Sequence, residues 1–186
     1  MRYLSSLIIF FVLSFCSGAL LSHAAEEMWQ IKALTQEGST LDIKAFDKKG
    51  NAFEIKAIEE DGNTWLMDIK AFVDGKRVPV KILVSDEKNM PVKAIGEGGE
   101  IMDVKAIAPN GDKLDVKGVG SMGSIIHIKV LVPGGEQYSV KSISKQGDVH
   151  DVKGVRILAP GEKAEMEIDG VAVYAHIKSL PPEDID

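Results

Sequence analysis

"DVKAIAPNGDKLDVKGV", residues 103–119, contains one structural unit twice: Asp103-Val104-Lys105 returns as Asp115-Val116-Lys117 across Pro109-Asn110-Gly111. Val104 and Ala106 alternate with Asp103 and Lys105, the period-two pattern of a half-buried strand. Pro109 presets the first turn position, and Gly111 accepts positive φ without a Cβ clash. The stretch therefore predicts a β-hairpin with a three-residue loop centred on Asn110 and Gly111 in the left-handed position of a bulge. In that register Val104 faces Val116 on the apolar side, while Lys105 meets Asp115 and Asp103 meets Lys117 on the other.

The unit recurs along the chain. Its lysine is found at Lys32, Lys44, Lys56, Lys70, Lys81, Lys93, Lys105, Lys117, Lys129, Lys141 and Lys153, mostly 12 residues apart, with one spacing of 14 before Lys70 and one of 11 before Lys81. The short unit carries Asp74-Gly75, a two-residue turn signal, which keeps Ile69 opposite Val80 and Asp68 opposite Lys81. After Lys153 the pattern loosens. Asp169-Gly170 reads as a tight hairpin turn, and "AHIKSL" at 175–180 as a degenerate last strand. The pattern resembles secreted bacterial proteins built of tandem short strand-turn repeats, a resemblance of architecture that carries no functional residues.

These units predict an all-β domain: an antiparallel meander of about 11 to 13 short strands, closed or curled into a flattened barrel or sandwich, with a β-solenoid as the alternative. A solenoid would stack eleven lysines at about 4.8 Å, and like charges directly opposite are destabilising. The meander has its own difficulty. With an even repeat and identical loops, a residue such as Val104 would have to bond both neighbouring strands, although its backbone groups point to one side. Alternating loop lengths, or a bulge in each strand, would resolve this. The aliphatic residue after each alanine, as in Ile58, Ile95 and Ile107, falls on the charged face near strand ends.

Residues 1–24 read as a signal peptide: Arg2, the apolar run "LSSLIIFFVLSF" and small residues at Ser22 and Ala24, with an uncleaved membrane anchor as the alternative. Residues 25–180 form one β-repeat domain, regular over 30–153 and closing in an irregular hairpin over 154–180, with a disordered tail at 181–186. The single cysteine, Cys16, leaves with the leader, so the exported chain has no disulfide chemistry. Net charge is −6 for the chain and −7 once Arg2 is removed. An acidic surface speaks against nucleic acid as a partner, and alternating Asp and Lys on the outer face speak against stable insertion in a membrane.

Catalytic constellations are not readable. His127 takes the Asp position on the charged face and His150 the apolar face, so with His176 they provide no zinc-ligand spacing. "GVGSMGS" at 118–124 lacks the lysine and the following helix of a phosphate loop, and no strand-turn-helix supports Ser121 or Ser124 as a nucleophile. Trp29 and Trp65 fit core or rim positions. The lysines read as structural charge partners of the next strand, not as a binding column. Expected, then, are no enzyme activity, no cofactor and no metal. The expected role is a non-enzymatic exported structural or interaction module of the cell envelope, and the alternative is a carrier of a small apolar ligand inside the β-structure.

Overall fold

The computed structural model describes residues 26–60, 62–156 and 166–182. The signal-peptide reading, the start of the C-terminal hairpin and the last four tail residues lie outside them. Thirteen antiparallel strands form one curled, closed arrangement. They are β1 (Met28–Leu34), β2 (Thr40–Phe46), β3 (Ala52–Glu60), β4 (Asn63–Val73), β5 (Lys76–Leu83), β6 (Met90–Ile95), β7 (Ile101–Ile107), β8 (Lys113–Met122), β9 (Ile125–Leu131), β10 (Gln137–Ile143), β11 (Val149–Val155), β12 (Met166–Ile168) and β13 (Val171–Leu180). All pairings are antiparallel, which rules out the solenoid.

Each of the twelve longer strands pairs with three of the other eleven, and β13 with the short β12 as well. Along β2, β7 runs beside residues 42–46, while β1 takes 40–42 and β3 takes 44–46. A strand has two sides, so β1 and β3 must share the one that β7 leaves open. The same holds of β1 and β3 toward each other, which pair at Met28↔Ile58 to Gln30↔Lys56. The three strands thus meet as a triangle, each giving half its length to each of the others. Three further triangles follow: β4, β5 and β13; β6, β7 and β8; β9, β10 and β11.

Six further pairs, all but β5–β6 with longer ladders, connect these junctions: β1–β10, β2–β7, β3–β4, β5–β6, β8–β9 and β11–β13. Each joins a different two of the four junctions, so the connectivity is that of the six edges of a tetrahedron. Closure therefore comes from branching and not from a single ring of strands as in a barrel. The backbone difficulty disappears with it. In β2, β7 and β10 both chain neighbours lie on the same side, as an even repeat demands, and they divide its length between them.

Loop chemistry follows the expectation at the junctions. In the 108–112 loop, Ala108 N–H donates to Asp112 O at 2.9 Å and Gly111 N–H donates to Ala108 O at 2.9 Å, with Gly111 at φ 88°. Loops 35–39, 47–51, 96–100, 132–136 and 144–148 repeat this bonding. Asp74-Gly75 is a two-residue turn with φ 47° and 80°, and Asp169-Gly170 repeats it with 47° and 80°. Loop length changes where the chain leaves one junction for the next, while bulges are confined to β3–β4, β8–β9 and β13–β5. A bulge in every strand, the alternative to a change of loop length, is not found among the described residues.

One apolar cluster fills the interior, drawing on Ile31 and Ala33, Ile43 and Ala45, Val104 and Ala106 and their equivalents in the other strands. β13 supplies Ile177 to it and places Lys178 where the other strands have their lysine. It is the twelfth repeat, recognisable in "HIKSL". Ile58 and Ile95, expected near strand ends on the charged face, are each 1% exposed. Ile95 packs with Leu83 and Val173 in a second cluster, against which Met166, Ile168 and Val171 of the β12–β13 hairpin also pack.

The small position of the repeat is alanine in six of the twelve repeat strands and glycine at Gly118 and at the more tightly enclosed Gly154. A Cβ there would lie 2.5 Å from Ile82 Cδ1 and 3.0 Å from Ile126 Cβ. Gly154→Ala restores the repeat consensus, yet it is expected to destabilise the protein by about 1–3 kcal/mol through overpacking. Urea denaturation checks this, and Ile82→Val in the same chain should recover part of the loss.

Candidate functional site

The repeat lysines stand at the middle of every long pair, directly opposite one another: Lys32↔Lys141, Lys44↔Lys105, Lys56↔Lys70, Lys81↔Lys93, Lys117↔Lys129 and Lys153↔Lys178. Such apposition is unfavourable unless carboxylates intervene. They come from the junctions. Within each triangle the lysine of one strand faces the first residue of the next unit, head to tail. Lys32 pairs with Asp42, Lys93 with Asp103, Lys105 with Asp115 and Lys141 with Asp151, and Lys44 reaches Glu54 at 2.6 Å.

Of the charge pairs read from the sequence, Lys105–Asp115 is present as expected. Asp103 is not opposite Lys117: it pairs with Lys93, and Lys117 reaches Glu87 at 2.7 Å. Val104 and Val116 likewise fall outside the hairpin ladder, which runs only from Lys105↔Asp115 to Ile107↔Lys113. Nor is Asp68 opposite Lys81. The β4–β5 ladder begins at Lys70↔Pro79, and Asp68 pairs with Lys178 and with Lys70 at 3.0 Å. The cause is the same in both cases. The turn register is right, but each hairpin splays after three or four pairs to admit the third strand.

Two departures from the Asp position bring histidine into the network. His176 Nδ1 accepts from Lys81 Nζ at 2.6 Å, and His127 Nδ1 lies 3.5 Å from Lys153 Nζ. Burial, then the ammonium groups of Lys81 and Lys178, lower His176 from its ordinary 6.5 to about 4. Burial alone would raise the Asp68 carboxyl, but hydrogen bonds from Lys178 and Lys70 outweigh it and hold Asp68 well below the usual carboxylate range. Lys129 has Ser139 as its partner, at 2.9 Å. Its ammonium is lowered by burial and by the facing charges of Lys153 and Lys141.

His150 lies on the inner face, as expected, with its ring 4.3 Å from that of Trp29, tilted by 48°. Its Nδ1 is 3.5 Å from Ser179 Oγ, which in turn is 2.6 Å from Ser142 Oγ. Both serines occupy the repeat's small position and are 0% exposed. The two serine hydroxyls therefore lie in packed core, while the His150 ring reaches from them to the surface. Burial lowers His150, against the opposing pull of Asp148 and Asp151.

Over this ring lies a shallow cleft of roughly 340 Å³, lined by Glu27, Trp29, Thr64, Trp65, Asp148 and His150 together with Pro181. The 14-residue unit creates it. β4 is 11 residues long, and its first residues, carrying Trp65, project beyond its first contact with β13 at Met67↔Ser179. Trp65 has the same parity as the buried Met67 but remains 73% exposed, with Leu66 beside it at 46%. Trp29, by contrast, is buried, and its Nε1 donates to Glu27 Oε1 at 2.8 Å. Sequence reasoning left Trp65 between core and rim; the long spacing was the available signal for an overhang. Among the described residues no group of three or more His, Cys, Asp or Glu is placed to hold a metal ion, and no helix is long and apolar enough to cross a membrane.

The model of a family of unknown function, DUF7486, matches residues 25–180, and the chain belongs to that family. No curated protein and no solved structure matches it.

Two measurements check the charge network. In double-mutant cycles, Lys105→Gln with Asp115→Asn should show a coupling of about 0.2–1 kcal/mol, and Asp103→Asn should couple more strongly to Lys93→Gln than to Lys117→Gln. The second concerns pH. His176 titrates lower in the folded chain than in the unfolded one, so its contribution is fully present above 6.5 and is lost as pH falls toward about 4. The urea midpoint of the wild type should drop over that window, and the drop should be shallower in His176→Gln.

Proposed function

We propose that this member of the DUF7486 family is a non-enzymatic exported β-repeat protein, a structural or interaction module of the cell envelope that meets its partner at the Trp65 overhang. The observation that carries this reading is the placement of Trp65 and Leu66. Most large apolar side chains of the repeats turn inward, whereas these two project from a lengthened hairpin beside an aromatic cleft with carboxylates on its rim. Large amphipathic rings held outside a core favour recognition, since tryptophan contributes contact area at a small entropy cost.

The filled interior supports the same reading over the ligand-carrier alternative. Interior side chains from all twelve repeat strands pack together, and Gly154 leaves no space for even a methyl group. Export is supported by the apolar leader at 1–24 and by a domain that contains no cysteine. Mass spectrometry of the cell-envelope fraction should find the chain beginning at Ala25; recovery of the intact leader in the cytosol would count against export.

For the interaction surface, a photocrosslinking side chain at Thr64 should give a discrete adduct in intact cells. That adduct should vanish on Trp65→Ala, a surface change expected to alter stability by no more than about 0.5 kcal/mol. An adduct that survives the loss of Trp65 would move the contact elsewhere.

A further inference from the structure

On the opposite face of β1 from Trp29, Met28, Gln30 and Lys32 line a separate cavity of roughly 290 Å³, together with Thr40, Lys56 and Lys145. It sits over the junction of β1, β2 and β3. Two of the three head-to-tail contacts there are ion pairs, Lys32–Asp42 and Lys44–Glu54. The third breaks the rule, because the residue facing Lys56 is Gln30, a neutral amide in the acid position of the repeat.

The neighbouring carboxylates are already engaged. Asp42 is held by Lys32 and Glu54 by Lys44, while Glu26, at the edge of the cavity, receives both Arg77 guanidinium nitrogens at 2.7 and 2.5 Å. Lys56 makes no ion pair among the described residues; its ammonium lies over the Phe72 ring, 5.6 Å from Nζ to the centroid. The cavity therefore combines an uncompensated ammonium at Lys56, a second at the exposed Lys145, and neutral donors in the Gln30 amide and the Thr40 hydroxyl.

We propose that this cavity is an anion-binding site for a tetrahedral oxyanion, a phosphoryl or sulfuryl group either free or borne on a larger molecule, which takes the place of the missing carboxylate opposite Lys56. Lysine acts on such groups as a point charge, and the amide and hydroxyl donors orient the oxygens. A concave site with a few convergent polar groups is the usual form of a small-molecule site. This site is independent of the Trp65 surface, since the two use opposite faces of β1.

Isothermal titration of the purified domain with inorganic phosphate and with inorganic sulfate, against sodium chloride at matched ionic strength, tests the assignment. Saturable binding of either oxyanion is expected, with a dissociation constant on the order of 1 mM or tighter. Gln30→Glu supplies the repeat's carboxylate to Lys56, so it should weaken binding at least about tenfold while raising the melting temperature. Lys56→Gln should weaken binding to a similar degree, and Lys129→Gln, which removes a lysine facing Ser139 at a different junction, should leave it unchanged. Binding of both oxyanions establishes the shared chemistry, and binding of one narrows it. No saturable heat with either, undiminished binding by Gln30→Glu, or an equal loss with Lys129→Gln would overturn the proposal.

Discussion

A twelve-residue unit returns each strand with the same backbone parity, and from this constraint the rest of the structure follows. Residues separated by an even number point their N–H and C=O groups to the same side, so at β2, β7 and β10 both chain neighbours are called to that side. One ladder cannot serve two full-length partners. The strands divide it, half to each neighbour, and the division produces three-strand junctions such as β1, β2 and β3. The opposite side remains open for one full-length partner. Four junctions joined pairwise by six such partners give every long strand a partner on both sides over part of its length, so edge exposure is small without a barrel.

Branching also explains the lysines. The midpoint of each strand is where its long pair is centred, so repeat lysines on the two strands are forced into apposition, as in Lys44↔Lys105. Their charge is eased where a lysine also lies at the point where its junction turns from one neighbour to the next, within reach of an acid from the following unit, as Lys32, Lys44, Lys93, Lys105 and Lys141 do. The carbon stems cover the sheet while the ammonium groups reach the carboxylates, as long amphipathic side chains commonly do. Individually these pairs are partly exposed and each is worth little. As a ring of head-to-tail contacts they favour one junction geometry over register-shifted ones, because a one-residue slip would put lysine in the core.

Much of this was legible locally. The alternation around Lys105, the bulged loop at Gly111, the two-residue turn at Asp74-Gly75 and the inward placement of Val104 all follow from spacing and turn chemistry. The pairings Asp103–Lys117 and Asp68–Lys81 failed because hairpin arithmetic assumes that two strands stay together once joined. Whether they do is decided by a third strand, and the contacts β1–β10, β2–β7 and β11–β13 join segments with no turn between them to set their register. The Trp65 cleft had a signal in the 14-residue spacing. The sealed contact of Ser142, Ser179 and His150 had a fainter one, in serine replacing alanine at the small position.

In a repeat fold the places that depart from the repeat deserve separate weight from those that obey it. Obedient positions are explained by the junctions: Ile and Ala fill the interior, and Lys meets Asp. A departure either compensates elsewhere in the scaffold or leaves a local imbalance. Gly154 compensates, since Ile82 and Ile126 occupy the space its Cβ would need. The β12–β13 hairpin compensates as well, covering Leu83 and Ile95. Gln30 does not, because no side chain takes over the charge that Asp42 and Glu54 supply at the other two corners of the same junction. Trp65 does not either, as the overhang carries it past the core its parity would reach. These two departures, on opposite faces of β1, are where the surface offers chemistry that the scaffold itself does not use.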